Sequence, residues 1–241
     1  MNTDGLKKLW KTVFGDPDSF INAFFQIAFS PDRCRFLEEN GETVCALYWF
    51  DCEYEGGKLA YIYAVATHPD HRGKGLASLL MQETHVHLKT LGYAGAVLRP
   101  ATPSLFSFYE RLGYVISGHI CRFAAEASNS PVFIQELPAK EYGRLRRSYL
   151  PRNGVVQEGI TLEFLQHFAR FYESENTIFC ISKDEPVIFE YLGDSNLAPD
   201  ILAALGLKSA EIPTIGEDIP YAMFCPLNCT KIPGYLGISL D

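Results

Sequence analysis

The chain has 241 residues, 47% of them apolar, 13% aromatic and 21% charged, with a net charge of −8. That composition is globular: it excludes a fibre, a coiled coil and a disordered tail, and no apolar run approaches the roughly 20 residues of a membrane span. Residues 1–125 carry 12 Lys+Arg against 13 Asp+Glu, and residues 126–241 carry 9 against 16; such an acidic second half excludes a nucleic-acid partner, which needs clustered Lys and Arg, but suits a cationic amine.

The opening Met1-Asn-Thr-Asp-Gly-Leu-Lys-Lys lacks the apolar stretch of a secretory signal, so a cytoplasmic protein without a membrane partner is expected. Leu6, Leu9, Trp10 and Val13 follow the helical i, i+3, i+4, i+7 spacing. Asp16-Pro17 breaks that helix, with Pro17 at the first position of a second one bearing Phe20, Ile21, Phe24 and Phe25. Arg33 to Leu37 and Glu42 to Cys52 read as strands joined at Asn40-Gly41, a tight-hairpin pair. Lys58 to Thr67 is a third strand, Arg72 to Leu91 a long helix stopped by Gly92, and Ala94 to Leu98 a strand buried on both faces. A helix over Ser104 to Leu112 and a strand over Tyr114 to Phe123 complete an α/β layered first half.

Small polar residues from Ala125 to Pro131 suggest a boundary, giving regions 1–125 and 126–241. The second, smaller α+β region reads as strands over Val132 to Leu137, Thr177 to Ser182, Val187 to Leu192 and Tyr221 to Cys225. Its helices cover Ala139 to Ser148, Leu162 to Tyr172 and Ala198 to Leu205. The cysteines sit mostly in apolar surroundings and read as reduced, buried thiols. Arg144, Arg146 and Arg147 read as the solvated face of a helix.

The informative stretch is Val65-Ala-Thr-His-Pro-Asp-His-Arg-Gly-Lys-Gly-Leu-Ala77. A strand ends and a basic, glycine-rich turn opens a long helix. N–H groups at a helix start lack intrahelical partners, and with the helix dipole they attract phosphate. Gly73 and Gly75 permit close approach, and Arg72 and Lys74 add charge. An ordinary strand–turn–helix connection is the competing reading of this stretch alone.

About thirty residues on stands Phe106-Ser-Phe-Tyr-Glu-Arg-Leu-Gly-Tyr114. Arg72-Gly-Lys-Gly75-Leu-Ala77 resembles the acyl-CoA pyrophosphate loop of the GNAT superfamily of N-acyltransferases, and Phe108-Tyr-Glu-Arg-Leu-Gly-Tyr114 is similar to that superfamily's FYxxLGF segment. The two stand in the expected order, and the resemblance covers residues 1–125. It implies the GNAT fold, with a central mixed sheet and acetyl-CoA as co-substrate in a gap between parallel strands. Val65, Ala66 and Thr67 would pair with the pantetheine arm, and Arg72, Gly73, Lys74, Gly75, Leu76, Ala77 and Ser78 would hold the pyrophosphate. Tyr109 falls where many members keep a catalytic tyrosine, and its phenol could protonate the departing thiolate; a core aromatic is the alternative. An amide at Val65 or Ala66 would polarise the thioester carbonyl.

The implied activity is acetyl transfer to a primary amine by direct attack, the acceptor being unidentified and cationic. Residues 126–241 would line its cleft, a degenerate copy of the same fold being one reading of them. The alternative function is a non-catalytic acyl-CoA-binding or sensing module. Thr102 stands where many members have asparagine, and the strand before the loop lacks the glutamate base of some members. Glu53, Glu55, His68, the Asp241 terminal carboxylate or a water then remain as candidates for the base. No metal is expected: His85 and His87 are two apart on a helix and face apart, and His68 and His71 lack partners at ligand spacing.

Overall fold

A computed structural model describes residues 3–240. The chain divides into two compact units, Met1–Val115 with Met223–Ile232, and Ile116–Ala222 with Pro233–Asp241. The sequence cut at residue 125 falls inside the second unit, which begins at Ile116, near the start of the strand Val115–Glu126.

In the first unit, helices α1 (Asp4–Phe14) and α2 (Asp18–Ile27) precede strands β1 (Cys34–Glu39), β2 (Glu42–Tyr54) and β3 (Gly57–Thr67). Helix α3 (Leu76–Thr90), strand β4 (Gly95–Leu98) and helix α4 (Phe106–Glu110) follow. Asn40 (φ 52°) and Gly41 (φ 80°) are both left-handed, as a two-residue hairpin between β1 and β2 requires. Strands β1, β2 and β3 are antiparallel, and β3 and β4 are parallel. The last residues of β11 (Ile219–Pro226) return to pair antiparallel with β4, Met223 opposite Leu98 and Pro226 opposite Gly95. The order β1-β2-β3-β4-β11 is thus a mixed sheet.

Both faces of that sheet are covered, so β2 is buried without a break from Val44 to Phe50. On one face Trp10 of α1 lies 4.7 Å from Phe24, 5.4 Å from Tyr48 and 5.7 Å from Tyr63, ring centre to ring centre. On the other, Leu47, Trp49 and Ile62 pack with Leu80, Met81 and Leu88 of α3. The alternation of Leu47, Tyr48 and Trp49 between faces follows from the strand period.

Three local details differ from the sequence reading. Pro17 is the cap of α2, with extended ψ, and Asp18 is the first helical residue. Helix α3 starts at Leu76, because Gly73 and Gly75, both at φ 77°, hold residues 72–75 in a turn. Ser104 to Leu112 is a 3-10 turn, Pro103–Leu105, followed by the five-residue α4.

The second unit holds β5 (Val115–Glu126, from Ile116), β6 (Gln135–Leu137), α5 (Ala139–Tyr149), α6 (Ile160–Phe168), β7 (Ala169–Ser174), β8 (Thr177–Ser182) and β9 (Ile188–Gly193). Helix α7 (Ala198–Leu205), strand β10 (Ser209–Ile215) and the start of β11 complete it. Strands β6 to β9 form an antiparallel sheet in sequence order, and β5 pairs antiparallel with β10. The helix expected over Leu162 to Tyr172 ends at Phe168, and Ala169 onward is strand, paired with β8. Strand β10 carries no pattern that reads as one, since Pro213 interrupts it.

Arg146 is not on a solvated face: it is 1% exposed. Its Nε and Nη2 donate to the two Glu190 oxygens at 2.7 and 2.9 Å. Nη1 donates to the Val155 carbonyl (3.1 Å) and Nη2 also to the Leu236 carbonyl (3.0 Å). Tyr142 and Tyr235 hydroxyls donate to Glu190 at 3.0 and 3.1 Å. This network ties the buried segment Tyr235, Leu236, Ile238 and Leu240 to the unit. Asp241 lies outside the described residues. No helix among the described residues is long and apolar enough to cross a membrane.

Candidate active site

The site begins where the sheet opens. β3 and β4 pair only from Leu59–Gly95 to Tyr61–Val97, although β3 runs on to Thr67. Opposite β2 the register slips: Tyr63 faces Tyr48, yet Ala66 faces Ala46, so β3 carries an extra residue. Ala64 absorbs it with φ 48°. A left-handed non-glycine residue costs about 1–2 kcal/mol, and such bulges bend a strand and re-aim its side chains.

Past the bulge lies a cleft of about 530 Å³. Val65 and Thr67 line one side, followed by Arg72, Gly73, Gly75, Leu76, Ala77 and Ser78. Leu105, Phe108, Tyr109 and Arg111 line the wall built by α4 and its flanks, and Val13 and His71 complete the lining. Ala66 is buried, its side chain pointing to the opposite face from Val65 and Thr67, and it is not part of the wall.

The first hydrogen bond of α3 runs from the Leu79 N–H to the Gly75 carbonyl, 3.0 Å. The N–H groups of Leu76, Ala77 and Ser78 therefore have no acceptor within the helix and mark its positive end. A Cβ added at Gly73 or Gly75 would meet nothing within 4 Å, so it is the left-handed backbone that requires glycine there. Arg72 Nε donates to the Thr67 carbonyl at 3.2 Å and ties the turn to the end of β3. Lys74 turns elsewhere: Nζ lies 3.3 Å from His71 Nδ1 and 3.9 Å from Glu39, off the cleft wall. His71 Nδ1 is itself 3.0 Å from Glu39. Among the described residues, no carboxylate lines the cleft.

Tyr109 both lines the cleft and packs in the core, 7% exposed. Its ring meets the edge of Tyr114, 5.6 Å between centres. The Tyr114 hydroxyl pairs with His85 Nε2 at 2.9 Å. Burial lowers the His85 pKa to about 4, leaving a neutral imidazole, and pushes the Tyr114 phenol well above its ordinary value.

The base candidates are scattered. Glu53 sits opposite Lys58, nine residues before Thr67 on β3, which at ~3.3 Å per residue is roughly 30 Å away. Glu55 lies 3.3 Å from Lys231. His68 lines a separate recess of about 170 Å³ with Lys8, Glu42 and Thr43, and its Nδ1 accepts from the Asp70 N–H. Thr102 Oγ1 bonds Ser104 Oγ (2.9 Å) and is not among the lining residues. Sequence reasoning missed Val13, His71, Leu105, Phe108 and Arg111 as wall residues. Phe108 and Arg111 lie inside the quoted motif and His71 beside the other one, whereas nothing local marks Val13.

Residues 2–117 match the family described as the acetyltransferase (GNAT) domain. No curated protein sequence matches the chain. Among solved structures, the GCN5-related N-acetyltransferase of Kribbella flavida is 18% identical, with a TM-score of 0.66 over 93% of this chain and 69% of that one. The GCN5-related N-acetyltransferase of Anabaena variabilis is 17% identical, TM-score 0.66, over 94% and 71%. Eis1 of Mycobacterium abscessus is 11% identical, TM-score 0.65, over 92% and 70%. At such identities these likenesses speak for the fold alone. The matched residues 2–117 include the glycine turn at the head of α3 and the open end of the β3–β4 pair, so this part of the chain is similar to the GNAT acetyltransferase domain.

Proposed function

We propose that this protein is an N-acetyltransferase that moves an acetyl group from acetyl-CoA to a primary amine. The observation that carries the reading is the cleft itself: helix-start N–H groups without intrahelical acceptors open on a wall that also bears Tyr109 and Arg72. A cradle of amides beside Arg72 suits a pyrophosphate, and the apolar side chains of Val65, Leu76 and Phe108 suit the uncharged arm attached to it.

In this reading Gly73 to Ser78 hold the pyrophosphate through backbone N–H groups. Lys74 contributes its amide, its ammonium being engaged by Glu39 and His71. The free edge of β3 from Val65 to Thr67 pairs with the pantetheine amides, and an N–H at Val65 or Ala66 polarises the thioester carbonyl. The thioester supplies an activated acyl carbon. The neutral amine attacks it, the C–N bond forming as the C–S bond breaks. Tyr109 gives its hydroxyl proton to the departing sulfur. Glu53, Glu55 and His68 do not line the cleft, which leaves water or the Asp241 terminal carboxylate to take the amine's proton. The acidic balance of residues 126–241 favours a cationic acceptor.

A melting experiment tests the reading. Acetyl-CoA at 100 times its Kd adds about 2.7 kcal/mol of native stability, so the transition should move up by several degrees. A screen of amines, amino acids, polyamines and peptides for CoA release then separates an enzyme from a binding module. An unshifted melt at millimolar CoA, with no binding by calorimetry, refutes the assignment.

A further inference from the structure

We propose that the buried hydrogen bond between Tyr114 and His85 positions Tyr109, holding its phenol towards the cofactor sulfur at a set distance from the head of α3. The inference rests on the acyl-CoA reading above and adds to it two positioning residues. Tyr109 sits on α4, a helix of five residues, a length at which a helix is not stable by itself. Tyr114 supports it. The Tyr114 N–H donates to the Tyr109 carbonyl at 3.1 Å, and the two rings meet edge to face. The Tyr114 hydroxyl then reaches His85 Nε2 at 2.9 Å. His85 belongs to α3, the helix whose first turn forms the amide cradle. One side chain thus joins the helix that would hold the pyrophosphate to the residue that would meet the sulfur.

Packing alone does not call for this pair. Tyr114 and His85 are both buried, and a buried polar pair gives up its hydration for a bond of modest net worth. An apolar pair of the same shape would fill the space as well. It would not fix the direction of the ring, because dispersion contacts have no preferred angle and a hydrogen bond does. Burial keeps His85 neutral, with one ring nitrogen free to accept the hydroxyl proton. The FYxxLGF segment ends in phenylalanine where this chain has Tyr114, so the bond is a feature of this chain rather than of the motif.

The test reads the sulfur directly and needs no acceptor. CoA bound to the full chain is titrated with base, and the ultraviolet absorbance of its thiolate is followed against the complex with desulfo-CoA. A phenol donating to the sulfur favours the charged form. Bound CoA should therefore ionise about tenfold more readily than free CoA, the scale of one hydrogen bond to a charged group. Tyr109→Phe should abolish that gain. Tyr114→Phe and His85→Leu should each lose most of it, with CoA affinity at neutral pH as in the unaltered protein. The two together should lose no more than either alone, since they delete one bond. A gain retained in Tyr114→Phe, losses that add in the double variant, or a loss that follows CoA affinity overturns the positioning role and leaves the acyl-CoA reading standing. A gain absent from the unaltered protein takes Tyr109 from the sulfur, and the positioning role with it. A chain that binds no CoA removes the acyl-CoA reading itself.

Discussion

Replacing Arg146 by methionine isolates the energetics of the buried network in the second unit. Methionine keeps an unbranched apolar stem but removes every donor. Glu190, 1% exposed, would retain only the Tyr142 and Tyr235 hydroxyls, and the Val155 and Leu236 carbonyls would each lose a donor. Breaking a buried pair from one side costs about 3–5 kcal/mol, because the surviving charge stays in the core. For a chain of this size that is a fall of roughly 10 °C in melting temperature. Arg146→Met with Glu190→Leu should recover most of it, since both charges are then gone. Denaturant unfolding followed by circular dichroism measures the change. Both tryptophans, Trp10 and Trp49, belong to the first unit, so their fluorescence follows that unit separately. A single variant within 1 kcal/mol of the parent, or a double variant no more stable than the single, would refute the account.

Four further outcomes are expected. Tyr109→Phe keeps the ring packing and removes the proton; turnover should fall by roughly 100-fold with CoA affinity unchanged, and unaltered turnover would assign Tyr109 to the core alone. Gly75→Glu places a carboxylate at the head of α3 in a left-handed position; the chain should fold yet lose CoA binding by calorimetry, and retained affinity would misplace the cradle. His85 titrates at about 4 in the folded chain against 6.5 when unfolded, so its contribution is complete above pH 6.5 and lost as pH falls towards 4. About 3 kcal/mol should go over that window, and pH-dependent unfolding of His85→Leu, in which that component is missing, checks it. A chain ending at Ser128 lacks Met223–Pro226, the β4 partner, and Asn228, whose side chain donates to the Lys89 and Tyr93 carbonyls. It should aggregate, and a monomeric fragment with a cooperative melt would contradict the role given to that returning segment.

Contiguous features were legible in the sequence. Val65 to Ser78 is one strand–turn–helix, so its glycines, its cations and the head of α3 could be placed from order alone. Asn40-Gly41 marks its hairpin because the turn demands left-handed backbone at both residues. The Phe108–Tyr114 motif likewise located Tyr109. Tertiary structure decided what depends on partners distant along the chain. Arg146 reads as a surface cation until Glu190, 44 residues later, is brought against it. The distance of Glu53 from the cleft follows from register along β3, and the engagement of Lys74 by Glu39 from the pairing of separate elements. The bulge at Ala64, which opens the sheet, has no signal in a run of apolar residues that any buried strand would share. The division of the chain into two discontinuous units rests on β11 returning beside β4, a long-range pairing that local propensity does not encode.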